Sequence, residues 1–203
     1  METTSAPAEV SRVDRVAIWL ILAIGALGGG FIAGLGFVTA VFRILDPARY
    51  PVSLLADVPV DGGPGIVQVH GDSIVVNADG LAPGTVWALA AGDFFEALTI
   101  ALVTASFAYV LWRVAQRRPF HRTVQAAALV AGFSLALGGI LSQGIGGLGQ
   151  MMAATDLEPT LGDIVMPGFL FTPTPFVVGF GVMALAYVFR TGTRLQRETE
   201  GLV

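Results

Sequence analysis

Hydrophobic and polar residues are segregated along this chain into long blocks rather than interleaved. Four uncharged runs, Val16 to Phe42, Ala97 to Trp112, Thr123 to Thr155 and Ile164 to Phe189, are separated by short charged or proline-rich segments. An α-helix rises about 1.5 Å per residue, so about 20 apolar residues are needed to cross roughly 30 Å of hydrocarbon. Three of the runs reach that length unaided, and the second reaches it once Asp93 and Glu96 are taken into its helix. The pattern predicts an all-α membrane protein, a four-transmembrane-helix bundle with spans over 16–43, 86–112, 123–150 and 174–190. The first run is too long for the apolar core of a signal peptide. It is followed by Arg43 and Asp46 rather than by a small-residue cleavage site, so it reads as a retained span.

The segment 44–85 has a different texture, with Pro47, Pro51, Pro59, Pro64 and Pro83 among aspartates and short apolar stretches. Ile66 to His70 and Ser73 to Asn77 are β-branched runs flanking Gly71-Asp72, which predicts a hairpin turning at those two residues. Val52 to Val58 offers a third strand. Two strands alone are marginal in water, so this sheet is expected to lean on the ends of the helices. The fourth run is interrupted by Pro167, Pro173 and Pro175, which places its regular helix from Thr174 or Pro175 onward. Residues 151–173 then form a loop, with Ile164 to Thr172 an irregular or strand-like lead-in.

The arginines orient the spans. Nine of the eleven lie in the tail 1–15, the loop 113–122 and the tail 191–203 with its preceding Arg190. The segments 44–85 and 151–173 carry Arg43 (at the boundary) and Arg49 against eight acids, Asp46, Asp57, Asp61, Asp72, Asp79, Asp156, Glu158 and Asp163. Basic residues favour the cytoplasmic side. Both termini are therefore expected in the cytoplasm and the β-containing segment outside, as an even number of spans also requires.

Composition narrows the chemistry. Hydrophobic residues make up 54% and charged residues 13% of the 203 positions, against roughly 25% charged in a soluble domain. The absence of cysteine removes disulfides, thiolate metal sites and a cysteine nucleophile. The two histidines, His70 and His121, fall on opposite sides of the expected membrane. The formal net charge is −4 and no long basic tract is present, so no direct nucleic-acid contact is expected. No Ser/His/acid or metal-ligand constellation appears. The expectation is a non-catalytic protein with no cofactor and no metal. All eleven basic residues are arginine, and with abundant Ala, Gly and Val this suggests a high-GC bacterial genome.

Four polar residues stand out against the apolar runs. Asp93 and Glu96, three apart, share one face of the second span, and Gln143 and Gln150, seven apart, share one face of the third. Glu96 lies 17 residues before Arg113, about 25 Å along the helix, so the acids sit towards the outer edge of the hydrocarbon. Two readings remain for them: solvated helix-end acids paired with Arg43 or Arg49, or a proton or cation site. The glutamines suit interhelical hydrogen bonds, with a polar pocket shared with Asp93 and Glu96 as the alternative. Glycines at spacing four, Gly25/Gly29 and Gly30/Gly34, suit close helix approach, within the chain or across a homo-oligomer seam. Gly144 to Gly149 spells G-x-G-x-x-G inside an apolar run, without the preceding strand or later acid of a dinucleotide site, and reads as a chance match.

Two segments carry a resemblance. Gln116-Arg117-Arg118-Pro119-Phe120 is similar to the basic Pro-Phe turn between spans two and three of the DUF2975 family of small bacterial membrane proteins. Phe189 to Val203, with Arg190, Gly192, Leu195, an acidic cluster and a terminal valine, looks like that family's ending. The resemblance implies a four-span fold with a β-containing outer loop and a companion role beside small helix-turn-helix regulators. The expected function is thus a membrane accessory or sensor protein acting through partners. The rival is a small transporter or ion-coupled permease working through Asp93, Glu96, Gln143 and Gln150.

Overall fold

A computed structural model describes residues 12–59, 70–116 and 122–200. Four long helices dominate: α1 (Arg12–Leu45), α2 (Pro83–Ala115), α3 (Arg122–Leu161) and α4 (Thr174–Glu200). A small antiparallel sheet of β1 (Val52–Pro59), β2 (His70–Val76) and β3 (Val165–Met166) has the order β2-β1-β3. Val16–Leu45, Pro83–Ala115 and Thr123–Leu161 are long and apolar enough to cross a membrane. The apolar part of α4, Thr174–Val188, is shorter.

The extensive helix contacts are between chain neighbours, α1 with α2, α2 with α3 and α3 with α4. The helices thus form an open series in which α1 and α4 each lean on a single helix. Their outward faces are apolar and uncovered, as at Leu27, Phe31, Val177 and Phe180. The main buried cluster lies instead at one end, where Val52 and Leu54 of β1 and Val165 of β3 meet Leu89 of α2 and Ala153 and Ala154 of α3. Side chains in β1 alternate, Val52, Leu54 and Ala56 buried with Ser53 exposed, as the two-residue strand period requires. At 33 and 40 residues, α2 and α3 are about 50 and 60 Å long. Both exceed a bilayer core and leave a helical stub to support the sheet.

Two expectations are corrected. Gly71-Asp72 is not a hairpin turn, because β2 runs straight through it, Gly71 pairing with Val58 and His70 with Pro59. The register shift between Leu55 and Val58 places a bulge opposite this stretch, and a strand glycine often marks such an irregularity. Ile66 to Val69 lie outside the described residues. Residues 151–161 are not loop but the last three turns of α3, with Pro159 carried inside the helix. They stay helical because Ala153, Ala154, Leu157 and Leu161 have the sheet to bury against. The expected third strand is present as β1, the central one, and the expected lead-in includes β3, paired to β1 at Leu55 and Ala56.

Helix starts are stabilised from a distance. Ala82, at the cap position of α2, offers no side-chain acceptor. Asp156 of α3 supplies one, its Oδ2 accepting from the Ala82 N–H at 2.9 Å and from Thr85 Oγ1 at 2.7 Å. One carboxylate thus caps α2 and satisfies the fully buried Thr85 hydroxyl. At the far end, Arg113 Nε donates to Tyr109 Oη at 2.9 Å, and the Tyr109 hydroxyl donates to Thr123 Oγ1 at 2.8 Å. The Arg113 guanidinium also lies 5.5 Å from the Trp112 ring centroid, an aromatic and cationic collar.

Candidate functional site

Where the sheet meets the helices, a cavity of about 270 Å³ opens between α2, α3, β1 and the segment before α4. Asp93, Glu96, Gln143 and Gln150, the four polar residues singled out from the pattern, all line it. Helical phase explains the pairs, since residues three or seven apart return to one face. Their meeting across two helices is a consequence of close approach at Gly92. A Cβ there would lie 2.6 Å from the Gly146 Cα and 3.2 Å from the Ser142 carbonyl oxygen. Only hydrogen fits. The seam brings the two polar faces together on the sheet side.

Arg43, in the last turn of α1, enters the same cavity. Its Nε donates to Asp93 Oδ2 at 2.6 Å, and its Nη1 reaches the carbonyls of Tyr50 at 3.5 Å and Pro51 at 3.3 Å. The guanidinium carbon also lies 5.9 Å from the Tyr50 ring centroid. The side chains are 11% and 26% exposed. One arginine therefore ties α1 to α2 and to the chain entering β1, which meets the expected pairing of Asp93 with Arg43. Arg49 is engaged elsewhere, 3.7 Å from Asp46 at the surface.

The glutamines part company. Gln143 makes a reciprocal pair with one peptide group, its Oε1 accepting from the Thr172 N–H at 2.6 Å and its Nε2 donating to the Thr172 carbonyl at 3.1 Å. The expected interhelical bond is thus replaced by a bond to the lead-in of α4, because that segment has backbone groups unpaired by helix or sheet. Gln150 and Glu96 have no hydrogen bond or ion pair among the described residues. Glu96 is also exposed. Phe169 and Leu170, from the same lead-in, add apolar surface to the lining.

Several contributors carry no signal in the sequence. Thr172, Phe169 and Ser53 reach the site only through tertiary contacts and carry no local motif. Gly92 stands in the sequence as one of 26 glycines, and only a facing Gly146 gives it meaning. The G-x-G-x-x-G letters lie wholly inside α3. There Gly146, Gly147 and Gly149 accommodate Gly92, Phe169 and Leu89 rather than a phosphate. The two α1 glycine pairs also separate: a Cβ at Gly25 or Gly29 would meet Phe107 or Thr104 of α2, whereas Gly30 and Gly34 face open space. His121 lies outside the described residues. No family model, curated protein or solved structure matches this chain.

Proposed function

We propose that this chain is a non-catalytic, four-span protein of the bacterial cytoplasmic membrane, a sensor or accessory subunit that acts through protein partners. In this reading the short apolar stretch of α4 completes the fourth span, both termini are cytoplasmic, and the sheet and its cavity face outwards. The observation that carries it is the distribution of polar groups. Asp93, Glu96, Gln143 and Gln150 collect in one cavity beside the sheet. Between Glu96 and Arg113 on α2, and between Thr123 and Thr155 on α3, no acidic, basic or imidazole side chain occurs. A carrier generally places polar groups or broken helices near the bilayer centre. A receptor needs only a pocket on one side and a helix leading to the other.

The arginines of the α4 extension, Arg190, Arg194 and Arg197, fit a cytoplasmic contact with a soluble regulator or with anionic headgroups. The resemblance to DUF2975 favours the regulator, of the helix-turn-helix kind. Crosslinking through the C-terminal tail in cells is expected to capture such a protein. A reporter fused behind Val203 is expected to be active only on the cytoplasmic side, and activity outside would overturn the topology. One observation favours a second reading, an ion-coupled permease: the Glu96 carboxylate has no counter-ion among the described residues. Under the preferred reading, vesicles carrying the Asp93→Asn and Glu96→Gln variants show the same proton- or sodium-driven uptake as wild type. A loss of flux in the variants would establish the permease instead.

A further inference from the structure

We infer that the cavity is a binding site for a small organic cation, a primary ammonium group on a short apolar body. This rests on the reading of the cavity as a ligand pocket and adds the class of ligand. Three charged side chains line it, Arg43, Asp93 and Glu96. Arg43 is already engaged, its Nε by Asp93 and its Nη1 by the carbonyls of Tyr50 and Pro51, and its charge is balanced by the Asp93 carboxylate. Pairing Arg43 with Asp93 leaves the Glu96 carboxylate as the uncompensated charge of the lining, so the field inside attracts cations and repels anions. Gln150 adds a carbonyl acceptor with no partner among the described residues.

The remaining walls decide between a metal ion and an organic cation. Among the described residues no group of three acidic or histidine side chains converges, so a divalent ion would lack the oxygen set it needs. Leu89, Phe169 and Leu170 offer instead an apolar surface and an aromatic ring suited to an alkylammonium. A volume of about 270 Å³ lies just below the range of drug-sized pockets, which suits a small guest. An ammonium can arrive on a soluble amine or on an aminophospholipid headgroup, and both present the same group to Glu96.

The chain has no cysteine, so a single Gln150→Cys reports on the cavity without background. The full-length protein is placed in nanodiscs of phosphatidylglycerol. It is then treated with two methanethiosulfonates of similar size, one bearing trimethylammonium and the other sulfonate. The cationic reagent is expected to react on the order of tenfold faster, with the preference abolished by Glu96→Gln. Butylammonium is expected to slow labelling, whereas butanol and butyrate are not. Slowing by added butylammonium assigns a soluble amine. Slowing without it, in nanodiscs containing phosphatidylethanolamine, assigns the headgroup. Equal rates for the two reagents, or no protection by either amine, would overturn the cation site and leave the pocket standing. Failure of both reagents to reach the cysteine would remove the pocket itself. Ser53→Cys, on the sheet wall, repeats the measurement should the first variant not fold.

Discussion

Arg43 and Asp93 form the one ion pair that joins two long helices among the described residues, and their half-buried position sets what it is worth. Exposed pairs contribute up to about 1 kcal/mol, while breaking a buried pair costs about 3–5 kcal/mol because the surviving charge is left without a partner. With 11% and 26% exposure, the pair belongs between these limits. Arg43→Met or Asp93→Asn alone is expected to destabilise the protein by about 2 kcal/mol in detergent. Arg43→Met with Asp93→Leu together should cost less than either single change, because no orphan charge remains. Thermal unfolding of the three variants checks this, and additive losses would show that the two side chains act independently. The same residue scale explains why Asp156 matters although nothing marks it in sequence: its carboxylate serves Ala82 and Thr85, 74 and 71 positions away.

Among the helices, the contact that shapes the cavity is the α2–α3 seam. Small residues permit close approach where lipid offers no hydrophobic drive between helices. At Gly92 the neighbouring atoms are backbone, which cannot rotate aside. Gly92→Ala is therefore expected to push the helices apart, lowering stability by about 1–3 kcal/mol as overfilled cores do and widening the cavity. Gly30→Ala meets no atom within 4 Å and is expected to be neutral or stabilising by up to about 1 kcal/mol through helix propensity. Comparing the unfolding temperatures of the two variants tests the seam. A loss at Gly30 equal to that at Gly92 would show that the open glycine face is covered by something outside the chain, a second copy being the simplest candidate.

Across the whole molecule, ordered burial is concentrated at the sheet end, while the helices beyond it present apolar surface outward. Gln143 links the two regions, since its amide holds the backbone of Thr172 just before α4 begins. The same lead-in carries Phe169 and Leu170 on the cavity wall and β3 in the sheet. An occupant of the cavity would thus touch elements continuous with α1 through Arg43 and with α4 through the lead-in. Gln143→Leu leaves the Thr172 N–H unpaired, and faster amide exchange over residues 169–172 is the expected outcome. An unchanged exchange rate there would show that other contacts hold the lead-in.

The long helices follow from local pattern, because an uncharged run of twenty or more residues has few alternatives to a buried or lipid-covered helix. So do the two polar pairs, since the spacing of Asp93 with Glu96 and of Gln143 with Gln150 places each pair on one helical face. Those are local properties, set within two turns of a helix. Long-range packing is what brings the two pairs into one cavity, sets Arg43 rather than Arg49 against Asp93, and gives Gln143 a peptide group instead of another helix. It also decided the end of α3: Met151 to Leu161 carry Asp156, Glu158 and Pro159 and read as loop, yet the sheet gives their apolar face a place to bury. The straight course of β2 through Gly71-Asp72 has the same origin. A Gly-Asp pair signals a turn locally, but β2 lies along β1, and cross-strand pairing overrides a two-residue preference. Short-range rules act through the backbone of a few neighbours, whereas partners 29, 50 or 71 residues apart are chosen only once the helices have packed.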